Sequence, residues 1–142
     1  MTSITPYFYQ NLTFNMSEAT NWNNANNLEP TVIVTDLYGT HDGSGGIARD
    51  VAVLDAFYDA SWVGSTACQW NDAPVCDHWH VKYDLADENL LDTATERRHV
   101  ACHEVGHTLG LRHTTNDASC MDGGPTAKYL SAHDITHIEL YY

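Results

Sequence analysis

Apolar positions fall into short strand-like runs in the first part of this chain and into helical spacing in the later part. Residues 7–12 read as a first strand. Ser17 opens a helix that runs to about Asn27, with Ala19, Trp22, Ala25 and Asn26 at helical spacing. Its asparagines are poor helix formers, and Pro30 stops it. Residues 31–35 are β-branched and predict a buried strand. A glycine-rich loop follows over residues 39–46. Residues 51–57 predict a strand that 61–64 extend, and 78–83 alternate partially as a further strand. Thr93 and Glu96 then form a capping box that opens a helix. Val100, Ala101, Val105 and Leu109 make its apolar stripe, and Gly110 ends it. A second box, Ser131 with Asp134, opens a terminal helix whose Ile135, Ile138 and Leu140 face the core. No repeat or low-complexity segment interrupts the series.

Length and composition narrow the class. The 142 residues suit one domain with a real core, and 43% of them are hydrophobic. No apolar run approaches a membrane span. The first six residues have neither a basic nor an apolar region, so they are not a signal peptide. Six basic residues against 19 acidic ones give a net charge of −13. That charge repels phosphate backbones, which argues against nucleic acid and anionic membranes as partners. It suits solubility, or attraction of basic peptides or calcium. Four cysteines allow three pairings. Cys68 and Cys76 flank a short polar loop, while Cys102 and Cys120 immediately precede His103 and Met121. The pairing read from those positions is Cys68 with Cys76 and Cys102 with Cys120, which implies an oxidising, extracellular setting. The alternative is four free buried thiols in a cytosolic protein. Two glycosylation sequons, at Asn11 and Asn15, matter only in a eukaryotic host.

The chemistry is concentrated in residues 103–113, which read H-E-x-x-H-x-x-G-x-x-H. On a helix, His103 and His107 lie on one face and can aim two imidazoles at one ion. Gly110 permits a sharp turn, which can return His113 as a third ligand. Three nitrogens leave the fourth tetrahedral position open, as a catalytic zinc site requires. Glu104 lies beside that position as a candidate general base. A bare H-E-x-x-H arises readily by chance with nine histidines present; five fixed positions do not.

The extended motif resembles that of the metzincin zinc endopeptidases. Ser119, Cys120, Met121 and Asp122 resemble their Met-turn, in which a methionine underlies the metal. The surroundings are most similar to small secreted matrixin-like and snapalysin-like enzymes, strongly from about Leu91 onward and more weakly before it. Snapalysins carry an aspartate where this chain has His113. Astacins and serralysins carry a tyrosine ligand where it has Gly123, so none is expected.

The resemblance implies an α+β, sandwich-like catalytic domain over 1–142. It would hold a mixed twisted sheet, a backing helix, the active-site helix, the Met-turn and a C-terminal helix. Residues 1–110 would form an N-terminal subdomain and 111–142 a C-terminal one, with the cleft between them. It also implies one catalytic zinc ion, a metal-activated water with Glu104 as base and then acid, and a protein or peptide substrate added along the sheet edge. A signal and pro-segment would be removed or lie outside these residues. A monomer is expected. The competing readings are a non-catalytic zinc-dependent binding module, against which Glu104 speaks, and a small-molecule zinc hydrolase.

Several further residues are candidates for function. Tyr129 could line the pocket for the residue after the scissile bond, or be a packed loop tyrosine. His99, one turn before His103, reads as structural or solvent-facing. His78 and His80 share a strand face and could bind a second metal, though such pairs are commonly surface polar. His41, Asp42, Gly43, Gly45 and Gly46 resemble in outline the calcium-holding loop of matrixins, with Asp36, Asp42, Asp50 and Asp59 as possible oxygen ligands.

Overall fold

The computed structural model describes residues 7–31, 33, 36–38, 50–72, 75–86, 91–116, 118–122, 124 and 126–142. Its strands are β1 (Tyr7–Asn11), β2 (Asp36–Tyr38), β3 (Asp50–Ala56), β4 (Gly64–Asp72) and β5 (Val75–Asp84). They form one mixed sheet in the order β2-β1-β3-β5-β4, parallel except for the antiparallel β4–β5 pair. The helices are α1 (Phe14–Asn23), α2 (Ala94–Thr108) and α3 (Ala132–Tyr141). The fold is therefore α+β.

Alternation along the strands supplies the core. Phe8, Val51, Val53, Val81 and Tyr83 are buried, and with Met16, Ala19, Val100, Ala101 and Val105 they form one cluster. Helix α1 packs on α2, and α2 packs in turn on β4 and β5. A helical threonine ties two of these layers, because the Thr20 hydroxyl lies 3.2 Å from the buried Tyr83 hydroxyl.

Both capping boxes form. The Glu96 N–H donates to Thr93 Oγ1 and the Thr93 N–H to Glu96 Oε2; Ser131 and Asp134 do the same at α3. The expected stripe on α2 is buried in full. On α3, Ile138 is buried and Ile135 half-buried, but Leu140 is 68% exposed and faces away from the core.

Other expectations are corrected. Helix α1 begins three residues before Ser17, at a Thr13 N-cap whose N–H and hydroxyl both bond Asp55 on β3. Its buried face is Met16, Ala19, Thr20 and Asn23, whereas Ala25 and Asn26 are exposed. The chain then widens into a π-turn (Asn24–Leu28), closed by the Glu29 N–H on the Asn24 carbonyl at 3.0 Å. Burial of Asn27 is tolerated because its amide is bonded at both ends. Asn27 Nδ2 donates to Asn23 Oδ1 and to the Lys128 carbonyl, both at 2.9 Å, and Asn27 Oδ1 accepts the Leu130 N–H at 3.0 Å. One amide thus imitates a strand partner for the segment entering α3.

The β-branched run expected as a strand at 31–35 falls only partly within the described residues. Thr31 is a turn residue and Ile33 is buried outside any strand; residues 32, 34 and 35 lie outside the described set, and β2 starts at Asp36. Residues 61–64 extend the sheet only at Gly64, and β4 runs on to Asp72. The loop between Cys68 and Cys76 is mostly a bulged hairpin of β4 and β5, and those two cysteines are joined across it.

Candidate metal centre

Helix α2 and the turn after it bring the three motif histidines together. Leu109 caps the helix, and Gly110 follows at φ +83°, a conformation glycine adopts without a Cβ clash. The Leu111 N–H turns back onto the Gly106 carbonyl. His113 then returns to α2. Its Nε2 lies 3.1 Å from that of His103 and 3.2 Å from that of His107, and those two are 3.2 Å apart. Nitrogens sharing one tetrahedral zinc stand about 3.3 Å apart.

The ring protons show what this convergence needs. His103 Nδ1 lies 2.9 Å from the Cys120 carbonyl, and His107 Nδ1 lies 2.9 Å from the Leu111 carbonyl. Carbonyls only accept, so both Nδ1 atoms carry the hydrogen. In the neutral rings both Nε2 atoms are then bare lone pairs, and 3.2 Å between them is repulsive unless a cation lies there. Protons do not fill that role well: burial pushes the His103 imidazole down to about 4, with repulsion from His107, His113 and His99 adding to it and the Cys120 carbonyl opposing it. The donor set therefore fits a divalent metal.

Glu104 is buried beside the histidines, which share with it the lining of a cavity of about 430 Å³. Burial raises its pKa above the ordinary carboxylate value, against a hydrogen bond from Thr66 and the nearby His113. Thr66 Oγ1 lies 2.6 Å from Glu104 Oε2 and 2.8 Å from the Glu104 carbonyl. Gly64 supplies the room: a Cβ there would stand 2.6 Å from Glu104 Cγ and Oε1. Trp62 and Val63, with Gly64, Ser65 and Thr66 of β4, form one wall of the cavity, and β4 is last in the strand order. The sequence offered no signal for Gly64 or Thr66 as site residues, since neither belongs to a motif.

Met121 is fully buried, and its Sδ nests against α2 where Gly106 has no side chain; a Cβ on Gly106 would lie 2.6 Å from it. The turn around it is tied down at four points. The Thr114 N–H donates to the Met121 carbonyl, the Cys120 N–H to the Tyr129 carbonyl and the Met121 N–H to Ser119 Oγ, while the Ser119 hydroxyl bonds Asp134 at the start of α3. A disulfide joins Cys102 to Cys120.

Other candidates fall elsewhere. Tyr129 is half exposed and packs edge-on against Trp22, with ring centroids 5.3 Å apart, and it is absent from the cavity lining. His99 lines the cavity and bonds the Ala127 carbonyl through Nδ1. His78 and His80 bring their Nε2 atoms within 3.1 Å on β5. Calcium gains no support. His41, Asp42, Gly43, Gly45 and Gly46 lie outside the described residues, as do the side chains of Asp36 and Asp50, and Asp59 is exposed, with φ +50°. Among the described residues the three histidines are the one cluster of three or more that could hold a metal.

Comparison with known proteins bears on the family and the fold. The matrixin family matches residues 9–142. Among solved structures, metalloproteinase-II from Bacteroides fragilis superposes with a TM-score of 0.56 at 11% identity, over 96% of this chain and 52% of that one. The chain thus spans about half the length of that protein, and at this identity the likeness concerns the fold alone. No curated protein matches the sequence. Among the described residues no helix is long and apolar enough to cross a membrane.

Proposed function

The chain belongs to the matrixin family, and on that premise we propose that it is a secreted zinc endopeptidase acting as a monomer on protein or peptide substrates. His103, His107 and His113 would hold one zinc ion, in a cleft between residues 1–110 and 111–142. When bound, zinc supplies Lewis acidity, which acidifies water and polarises a carbonyl. The observation that carries the reading is the convergence of three imidazole nitrogens in the same cavity as a buried carboxylate.

Each residue then has a definite task. Glu104 takes a proton from the attacking water and delivers it to the leaving amine nitrogen, as base and then as acid. Its raised pKa suits both duties, because a group nearer neutrality gives up a proton as readily as it accepts one. Thr66 fixes Oε2 and leaves Oε1 toward the space over Gly64. A substrate strand pairs along β4, which sets its carbonyl over the histidines through main-chain hydrogen bonds. Met121 serves as the Met-turn floor, which Gly106 lets approach the helix. The two disulfides suit an oxidising compartment.

The test is hydrolysis of casein and of quenched peptides by zinc-replete protein, chelated protein and Glu104→Gln, with zinc content measured in each. Loss of the base is expected to lower kcat/KM about 10³-fold with zinc retained. Undiminished cleavage by zinc-loaded Glu104→Gln overturns the mechanism. An inactive but zinc-replete wild type would favour the non-catalytic binding module.

A further inference from the structure

We propose that His99 selects the substrate, so that the cavity prefers a large side chain bearing an O–H or N–H over its apolar isostere. The inference rests on the peptidase reading, since it names what that cavity recognises.

His99 is buried, at 7% exposure, and lines the cavity together with Glu104 and the three converging histidines. It stands outside the metal cluster, with its ring centroid 6.0 Å from that of His103. Its Nδ1 is engaged by the Ala127 carbonyl, which can only accept. The hydrogen therefore sits on Nδ1, and in the neutral ring Nε2 is a bare acceptor. Among the described residues nothing donates to it. The cavity walls around it are mainly apolar, formed by Trp62, Val63 and Val100. The Ser65 hydroxyl and the Trp62 indole N–H are the other polar wall groups that are neither bonded to the base nor part of the motif.

Such a cavity discriminates by the hydrogen bond it lacks. A phenylalanine or methionine would fill the apolar walls but leave Nε2 desolvated and unpaired. A tyrosine hydroxyl or glutamine amide would fill the same space and donate to it. A glutamate would set a second carboxylate in the cavity that already holds Glu104. The volume of about 430 Å³ admits a side chain of tyrosine size.

The experiment uses the zinc-replete enzyme at pH 8.5, well above the ordinary histidine range. Peptides carry tyrosine or phenylalanine, glutamine or methionine, or glutamate at each residue flanking the scissile bond. At one of the two positions, tyrosine and glutamine are expected to exceed their isosteres about tenfold in kcat/KM, with glutamate the poorest. In His99→Leu the ratios should fall to within about twofold of one. Equal rates for the wild type overturn the proposal. So does a preference that survives His99→Leu, which would assign recognition to Ser65 or the Trp62 indole. If His99→Leu does not fold, ¹⁵N NMR of the wild type gives the His99 tautomer: Nδ1–H is expected, and Nε2–H overturns the proposal. Absence of any cleavage by zinc-replete protein would instead take down the peptidase reading itself.

Discussion

Replacing Gly64 with alanine adds one methyl group to β4 and is expected to disable the site without unfolding the chain. An ideal Cβ at this position lies 2.6 Å from Glu104 Cγ and Oε1 and 2.8 Å from Cδ. Non-bonded carbons rest about 3.5–4.0 Å apart, so the carboxylate must retreat by about 1 Å. The backbone at Gly64 is not in the left-handed region, so alanine strains nothing there. The clash falls on a side chain that can turn away, and in turning it gives up its 2.6 Å contact with Thr66. Misplacing a reacting group by about 1 Å costs about 10²-fold in rate. Glu104→Gln is expected to cost about 10³-fold. The assay is kcat/KM on a fluorogenic peptide, with zinc content and urea unfolding measured alongside. Gly64→Ala should bind zinc normally, unfold within about 1 kcal/mol of wild type, and cleave about 100-fold more slowly. The double mutant with Glu104→Gln decides the route, because coupled sites are not additive. If the methyl acts through Glu104, the double mutant is no slower than Glu104→Gln alone. Gly64→Ala activity within threefold of wild type, or a double mutant a further 100-fold slower, would refute the reasoning.

Three other outcomes test the frame around the site. Replacing Cys102 and Cys120 with alanine opens a link between residues 18 apart and should lower the stability of metal-free protein by about 3 kcal/mol in urea; a loss below about 1 kcal/mol would count against a structural disulfide. Asn27→Ala leaves the Lys128 carbonyl and the Leu130 N–H unpaired, at about 1–3 kcal/mol each, so urea unfolding should show roughly 2–6 kcal/mol lost, and wild-type stability would sink the bridging role. Asp84 is held below the usual carboxylate range chiefly by the Ala60 N–H, with those of Ala86 and Tyr58 adding to it and burial opposing. Its ionised form therefore stabilises the fold above the ordinary value of 3.8, and that contribution is lost as pH falls through the lower folded value. Thermal melts in chelator should show Asp84→Asn less stable than wild type at pH 6, with the gap closing below about pH 3.8; a gap unchanged down to pH 3 would contradict the assignment.

What the sequence revealed was set by range. The capping boxes of α2 and α3 join residues three apart, and the histidine motif spans eleven residues with one glycine between helix and return, so spacing alone located them. Cys102 and Cys120 could be paired because each adjoins a residue already singled out. The partners of Glu104 could not be found this way. Thr66 is 38 residues from it, on a strand whose first residues give a weak β signal and whose later course carries two irregularities in register. Pairing with β5 makes that strand, and no local preference announces it. At 31–35 the β-branched signal misled at the described positions, since Thr31 lies in a turn and Ile33 outside any strand, and β2 begins at Asp36. Asn27, just beyond α1, looks unfavourable only until the segment at 128–130 arrives to bond it.

Cys120 has two attachments within one residue. Its sulfur is bonded to Cys102, beside His103, and its carbonyl accepts the Nδ1 hydrogen of His103. Oxidation of the thiols and orientation of the imidazole therefore act on the same few atoms, and thermodynamic linkage makes the influence mutual. Whatever factor the disulfide contributes to metal affinity, bound metal must contribute to the disulfide's resistance to reduction. The reduction potential of this pair should then depend on zinc concentration, and a metal-free chain should be the easier one for a thiol reductant to open.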